Sequence, residues 1–185
     1  ELLMSVPKIL VFAGSIRSGS FNARLAALAA KELALAGADV TRISLEDYPL
    51  PLYDGDDEQE TGVPANAAKL KAMLAAHRGV FIASPEYNAS VTPLLKNAID
   101  WLSRPYGEGA LKGKPLAVVG ASLGQYGGVW AHDETRKSFG IAGPRVVEGL
   151  DLSVPTNSLD GKHPRENTEV AARLRDIVGK LAAEI

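Results

Sequence analysis

Ile9-Leu10-Val11-Phe12-Ala13-Gly14-Ser15-Ile16-Arg17-Ser18-Gly19-Ser20-Phe21-Asn22-Ala23-Arg24-Leu25 is the stretch on which the fold turns. Its first part is a continuous apolar run suited to a strand covered on both faces, predicted over Lys8–Ala13. Its last part opens a helix predicted over Phe21–Ala36, with Ser20 as N-cap and Gly37 as stop. A serine-rich loop with one arginine at a helix start presents N–H groups, hydroxyls and a guanidinium to an anion. The dinucleotide pattern G-x-G-x-x-G is absent. Gly14 and Gly19 have the spacing of a nucleotide-triphosphate loop, but Ser20-Phe21 replaces the required Lys-Ser/Thr. What remains is a monophosphate cradle, with Ser15, Ser20 and Asn22 as hydrogen-bonding groups and Arg17 as the charge partner.

The strand–loop–helix pattern recurs along the chain. Strands are predicted at Ala38–Ile43, Gly79–Ala83, Leu116–Ala121 and Pro144–Glu148, the last bent through Leu150-Asp151-Leu152. Helices are predicted from Pro64 to His77, from Pro93 through Leu102, from after Gly128 to Phe139, and from Asn167 to Glu184. Ser44–Gly62 reads as a long loop whose acidic cluster, Asp54, Asp56, Asp57 and Glu58, is a solvated surface. Five strands alternating with helices predict one flavodoxin-like domain over residues 1–185. It is an α/β, doubly wound parallel sheet of order 2-1-3-4-5 with helices on both faces. In that order strands one, three and four are neighbours. Their ends, Ala13-Gly14-Ser15, Ala83-Ser84-Pro85 and Gly120-Ala121-Ser122, converge on one edge, where such sheets bind ligands.

The totals narrow the classes. The chain has 185 residues, 46% of them hydrophobic, and a net charge of −2. Neither a basic stripe for nucleic acid nor an apolar run long enough to span a membrane is visible. The chain contains no cysteine, which excludes disulfides, thiolate metal sites and a cysteine nucleophile. His77, His132 and His163 show no metal-ligand spacing. Residues 1–7 read as an N-terminal extension, with Glu1-Leu2-Leu3 ahead of Met4 and no signal peptide, and the expected location is cytoplasmic.

Ser84-Pro85-Glu86-Tyr87-Asn88-Ala89-Ser90-Val91-Thr92-Pro93-Leu94-Leu95-Lys96-Asn97-Ala98-Ile99-Asp100-Trp101 resembles the hallmark segment of the NADPH-dependent FMN reductase family. Gly14–Asn22 resembles that family's flavin phosphate loop, and Gly120–Gly128 its third flavin loop. The resemblance implies non-covalently bound FMN, with NADPH or NADH as co-substrate. Ser15, Arg17, Ser20, Phe21 and Asn22 would hold the phosphate and ribityl chain. Pro85, Glu86, Tyr87 and Asn88 would line the isoalloxazine, and Ser122 and Gly124 would close its other side. It further implies hydride transfer from nicotinamide to flavin. Two electrons would then pass to a small acceptor such as a quinone, a free flavin, an azo compound or chromate. A homodimer or homotetramer is implied, with the second loop and the third helix near the interface; the residues themselves show only an apolar face on that helix. No side chain is named as catalytic, because the cofactor carries the chemistry. Arg17, Arg104 and Lys112 are the candidates for a 2′-phosphate contact.

Two other readings use the same residues. A flavin-binding electron-transfer module would lack its own nicotinamide site, and the mild net charge disfavours it. Gly120-Ala121-Ser122-Leu123-Gly124 also matches the nucleophile elbow of a serine esterase, with Asp160 and His163 downstream in the right order. Against that, Gly127-Gly128 delays the helix that should follow at once.

Overall fold

Residues Lys8–Ala13 form strand β1, and its side chains divide between two cores. Ile9 and Val11 pack with Leu25, Ala29, Leu174 and Ile177 on one side. Leu10 and Phe12 pack with Leu70, Leu95 and Ile99 on the other. A strand buried on both faces gains nothing from polar alternation, hence the unbroken apolar run. The computed structural model describes residues 5–185. The reading of Glu1-Leu2-Leu3 as an extension lies outside them.

After β1 come α1 (Phe21–Leu35), β2 (Asp39–Arg42), α2 (Gly55–Thr61) and α3 (Ala65–Ala75). Then follow β3 (Gly79–Ala83), α4 (Pro93–Leu102), β4 (Pro115–Ser122) and α5 (Val129–Ala142). The chain ends with β5 (Arg145–Val146), β6 (Ser153–Pro155) and α6 (Thr168–Ala183). The strands pair in parallel in the order β2-β1-β3-β4-β5, with β6 also on β4. Helices α1 and α6 cover one face, and α3, α4 and α5 the other. This is the flavodoxin-like order, and it brings the carboxyl ends of β1, β3 and β4 together.

The predicted fifth strand is interrupted, so the sheet has six strands. β5 pairs with Pro115 and Leu116, and β6 with Gly120 to Ser122. Between them the chain leaves the edge. The Val118 carbonyl, which a continuous strand would have satisfied, instead accepts a hydrogen bond from the Arg136 guanidinium at 2.6 Å. An edge carbonyl needs a partner of some kind, and a side chain from α5 supplies it here.

The predicted loop at 44–62 contains α2, capped by the Asp54 carboxylate accepting from the Asp56 N–H at 2.9 Å. Asp54, Asp56 and Asp57 are exposed as expected, but Glu58 is not a solvated charge. Its carboxylate accepts from the Tyr53 hydroxyl at 2.7 Å and pairs with Arg104 at 2.9 Å. These bonds hold the Glu58 carboxyl below its usual range, the tyrosine bond contributing most. The same segment covers α4. Trp101 is fully buried, donates from Nε1 to the Pro51 carbonyl at 2.7 Å, and meets the Tyr53 ring edge-on at 4.9 Å. Of the apolar residues on α4, Leu95, Ala98, Ile99 and Leu102 lie in the core and Trp101 beneath Pro51 and Tyr53, while Leu94 is half-buried beside them.

Candidate active site

Three loops meet at the carboxyl edge of the sheet, and Ser84 lies at their centre. Its N–H donates to the Val119 carbonyl at 2.9 Å, and the neighbouring Ala83 carbonyl accepts from Gly14 N–H at 2.7 Å. Ser84 is fully buried between the ends of β1 and β4. Both flanking strands present glycine to it. A Cβ on Gly14 would press on the Ser84 side chain, and one on Gly120 would overlap the Ser84 carbonyl oxygen and the His132 ring. The glycines at 14 and 120 are thus explained by close approach.

The first loop leaves β1 and enters α1. Ser15 Oγ accepts from the Arg17 N–H at 3.3 Å, and Ser20, nearly buried, caps α1 by accepting from the Asn22 N–H at 3.2 Å. Arg17, Ser18 and Gly19 are exposed, and among the described residues the Arg17 guanidinium has no acidic partner. Asn22 lines the cleft and also ties two elements together. Its amide donates to the Ala121 carbonyl at 2.9 Å and accepts from the Ala121 N–H at 2.8 Å, bolting the start of α1 to the end of β4.

The second loop is held at several points. The Ser84 carbonyl accepts from His132 Nε2 at 2.6 Å. The Glu86 carboxylate accepts from the Ala131 N–H at 3.1 Å, in the first turn of α5, where the helix dipole favours an anion. This bond gives Glu86 a structural duty in holding the loop to α5. Ser122 Oγ lies 3.4 Å from both the N and the O of Glu86. Tyr87 and Ser90 exchange backbone hydrogen bonds at 3.2 and 3.1 Å around Asn88 and Ala89, whose φ angles are 50° and 62°. Two left-handed residues in a two-residue hairpin mark a type I′ turn. Asn is favoured there, and alanine carries strain.

Of the eleven predicted residues, Arg17, Ser20, Phe21, Asn22, Pro85, Glu86, Tyr87 and Ser122 line one cleft of about 440 Å³, together with Ala121, Leu123 and Thr156. That volume lies within the range of ordinary ligand sites. Ser15 borders a separate small hollow, and Asn88 and Gly124 do not line the cleft. The apolar lining of the cleft includes the exposed Tyr87 and Leu123. Tyr126 and Trp130, also exposed and with rings 5.5 Å apart, do not line the cleft. A larger hollow of about 620 Å³ between α4 and α5 contains none of the predicted flavin-site residues. Arg104 and Lys112 border it, away from the cleft, and Arg104 and Lys96 there are already paired with Glu58 and Asp100. Arg17 alone of the three 2′-phosphate candidates lies at the cleft.

The residues of the esterase reading are otherwise engaged. His163 Nδ1 accepts from the Arg165 N–H at 3.1 Å in a capping box with Glu166, and Asp160 ends a turn at φ 54°. Ser122 Oγ bonds only the Glu86 backbone among the described residues. No triad is assembled.

His132 and Thr92 are buried anchors of these loops that sequence reasoning missed. The Thr92 hydroxyl donates to the Gly14 carbonyl at 2.8 Å and accepts from the Leu95 N–H at 3.3 Å, tying the first loop to α4. His132 is fully buried, and its acidity is pushed to a pKa of about 4, mainly because burial disfavours the imidazolium. A signal for it did exist: 131, 132, 135 and 139 form one buried helical stripe, and a histidine on such a stripe needs partners.

Comparison with known proteins agrees with this geometry. The sequence model of the family described as NADPH-dependent FMN reductase matches residues 7–158. A 2-hydroxy-1,4-benzoquinone reductase of a Burkholderia species is 40% identical over 129 residues, covering 70% of this chain and 68% of that protein. A quinone reductase of Escherichia coli K12 is 43% identical over 122 residues, covering 65% of this chain and 63% of that protein, which is less than two thirds of its length. Among solved structures, the flavoenzyme NAD(P)H:(acceptor) oxidoreductase FerB of Paracoccus denitrificans superposes with a TM-score of 0.79 at 29% identity over 96% of both chains. The chain belongs to the NADPH-dependent FMN reductase family, an oxidoreductase family with FMN as cofactor and NAD(P)H as co-substrate.

Proposed function

We propose that the chain is an NAD(P)H-dependent quinone reductase whose FMN occupies the 440 Å³ cleft. The observation that carries this reading is the polarity of the cleft along its length. One end offers the Arg17 guanidinium, which has no acidic partner among the described residues, and the capped start of α1, a place for a phosphate. The other offers Pro85, Tyr87 and Leu123, an apolar wall for a flat ring. The donor set fits FMN because one site answers both halves of that molecule. Two relatives named as quinone reductases support the acceptor class.

When bound, FMN supplies the redox chemistry, taking a hydride from NAD(P)H and passing two electrons to the quinone. The chain positions and shields. Arg17 and Ser20 bind the phosphate, with Ser15 shaping the loop around Arg17. Asn22 keeps the start of α1 against β4. Pro85, Glu86, Tyr87 and Ser122 form the ring pocket, with Asn88 supporting the hairpin and Gly124 the facing loop. The exposed Tyr87, which lines the cleft, would give an aromatic acceptor a surface to stack on. We also propose a homo-oligomeric, cytoplasmic protein. No helix among the described residues is long and apolar enough to cross a membrane.

The test is anaerobic. Added NADPH or NADH should bleach the absorbance of the FMN-loaded protein, and a benzoquinone should restore it. A protein that takes up no FMN, or one bleached only when a separate reductase is present, overturns the proposal.

A further inference from the structure

Each nitrogen of the His132 ring has an assigned partner. Nε2 lies 2.6 Å from the Ser84 carbonyl oxygen, and a carbonyl can only accept, so Nε2 carries the hydrogen. Nδ1 of the neutral ring is then an acceptor, and Ser153 Oγ, 2.7 Å away, donates to it. The serine comes from β6, directly opposite Gly120 in the register. The strand interruption thus has a consequence at the site: it returns the chain to β4 where Ser153 fixes the ring. Gly120 leaves the space in which the His132 ring and the Ser84 carbonyl meet.

Resting on the FMN reading of the cleft, we propose that His132 is a positioning residue for its ring end. Through the Ser84 carbonyl it sets the turn that carries Pro85, Glu86 and Tyr87. Ala131, the residue beside it, holds the Glu86 carboxylate from the same turn of α5. Two successive residues of one helix therefore fix the second loop at two points, two residues apart. The neutral ring is held in one tautomer over the working pH range, so the turn is set before any ligand arrives. Among the described residues, Arg17 is held only by local backbone bonds to Ser15 and Ser20.

The experiment compares His132→Met, which keeps volume and loses both hydrogen bonds, with His132→Gln, which keeps a donor for Ser84. In the FMN-loaded protein, His132→Met is expected to weaken FMN and riboflavin by the same factor, about tenfold, since the hydrogen bond to Ser84 that sets the ring-end turn is lost. The visible spectrum of the bound flavin and its midpoint potential should shift as well. His132→Gln should return all three readouts close to the parent. In the flavin-free protein, amide exchange should quicken at Glu86 and Tyr87 but not at Arg17 to Ser20. This last readout tests the positioning role even if FMN does not bind. If His132→Met does not fold, Ser153→Ala, which frees the ring to turn, should give the same changes at smaller amplitude. Failure of glutamine to rescue overturns the proposal. So does exchange that quickens evenly over the whole chain, or an unchanged flavin spectrum in a folded His132→Met.

Discussion

The two ends of the cleft are built differently. At one end Arg17, Ser18 and Gly19 stand in solvent, held by local bonds alone: the Arg17 N–H to Ser15 Oγ, the Ser20 N–H to the Arg17 carbonyl, and the cap of α1. At the other, Ser84, Glu86 and Tyr87 are bonded to β4, to α5, and across their own hairpin. The contrast follows the chemistry each end is proposed to perform. A phosphate carries its own charge and recruits a mobile guanidinium at little cost. A flavin ring whose reactivity depends on neighbouring dipoles needs those dipoles placed in advance.

The largest effect that can break this comparison is expected at Gly120. Gly120→Ala forces a methyl group into the Ser84 carbonyl and His132, neither of which can move without disturbing the other. The loss should be about 3 kcal/mol in denaturant unfolding. Gly19→Ala at the open end meets no atom and should cost only the strain of a φ of 72°, about 1 kcal/mol. Equal losses at the two positions would contradict the account.

A comparable effect is expected from pH. The His132 pKa is held at about 4 in the folded chain against 6.5 in its absence, chiefly by burial and further by Arg136, with the Ser84 carbonyl and Asp133 opposing. The Glu86 carboxylate lies across from it at the Ala131 N–H. As pH falls from 6.5 towards 4, the unfolded chain binds a proton that the folded chain refuses, so stability is lost over that window. The contribution is roughly 3 kcal/mol. Unfolding curves across this range should be flatter for His132→Gln than for the parent, and parallel curves would contradict the assignment.

At the open end, Arg17→Ala should weaken FMN ten- to a hundredfold, about 1.4–2.8 kcal/mol, with little change in thermal stability. A large loss of stability would show that the arginine is not free. The smallest effect is expected in the hairpin, where Ala89→Gly removes a strained φ of 62° and should raise stability by about 1 kcal/mol. A loss there would mean that the methyl group is wanted.

The parallel order and the meeting of three strand ends were legible because both follow from local runs: Ile9–Phe12, Gly79–Ala83 and Leu116–Ala121 each announce themselves. The family, its FMN and its NAD(P)H were legible in Ser84–Trp101. What stayed hidden depends on distant partners. That Asn22 also bonds Ala121, 99 residues on, with both ends of its amide could not be read locally. The break between β5 and β6 leaves the Val118 carbonyl to Arg136, a partner on α5 that no local run announces. Trp101 finds its cover in a segment read as solvated loop, and His132 finds its partners on β3 and β6. In each case a side chain does what local propensity cannot announce.

The claim that the cleft takes FMN with its phosphate at Arg17 is tested most directly by titrating the flavin-free protein with FMN and with riboflavin. One FMN per chain should bind, at least tenfold more tightly than riboflavin, and high salt should narrow the difference. Equal affinity for the two flavins, or none for either, would contradict it.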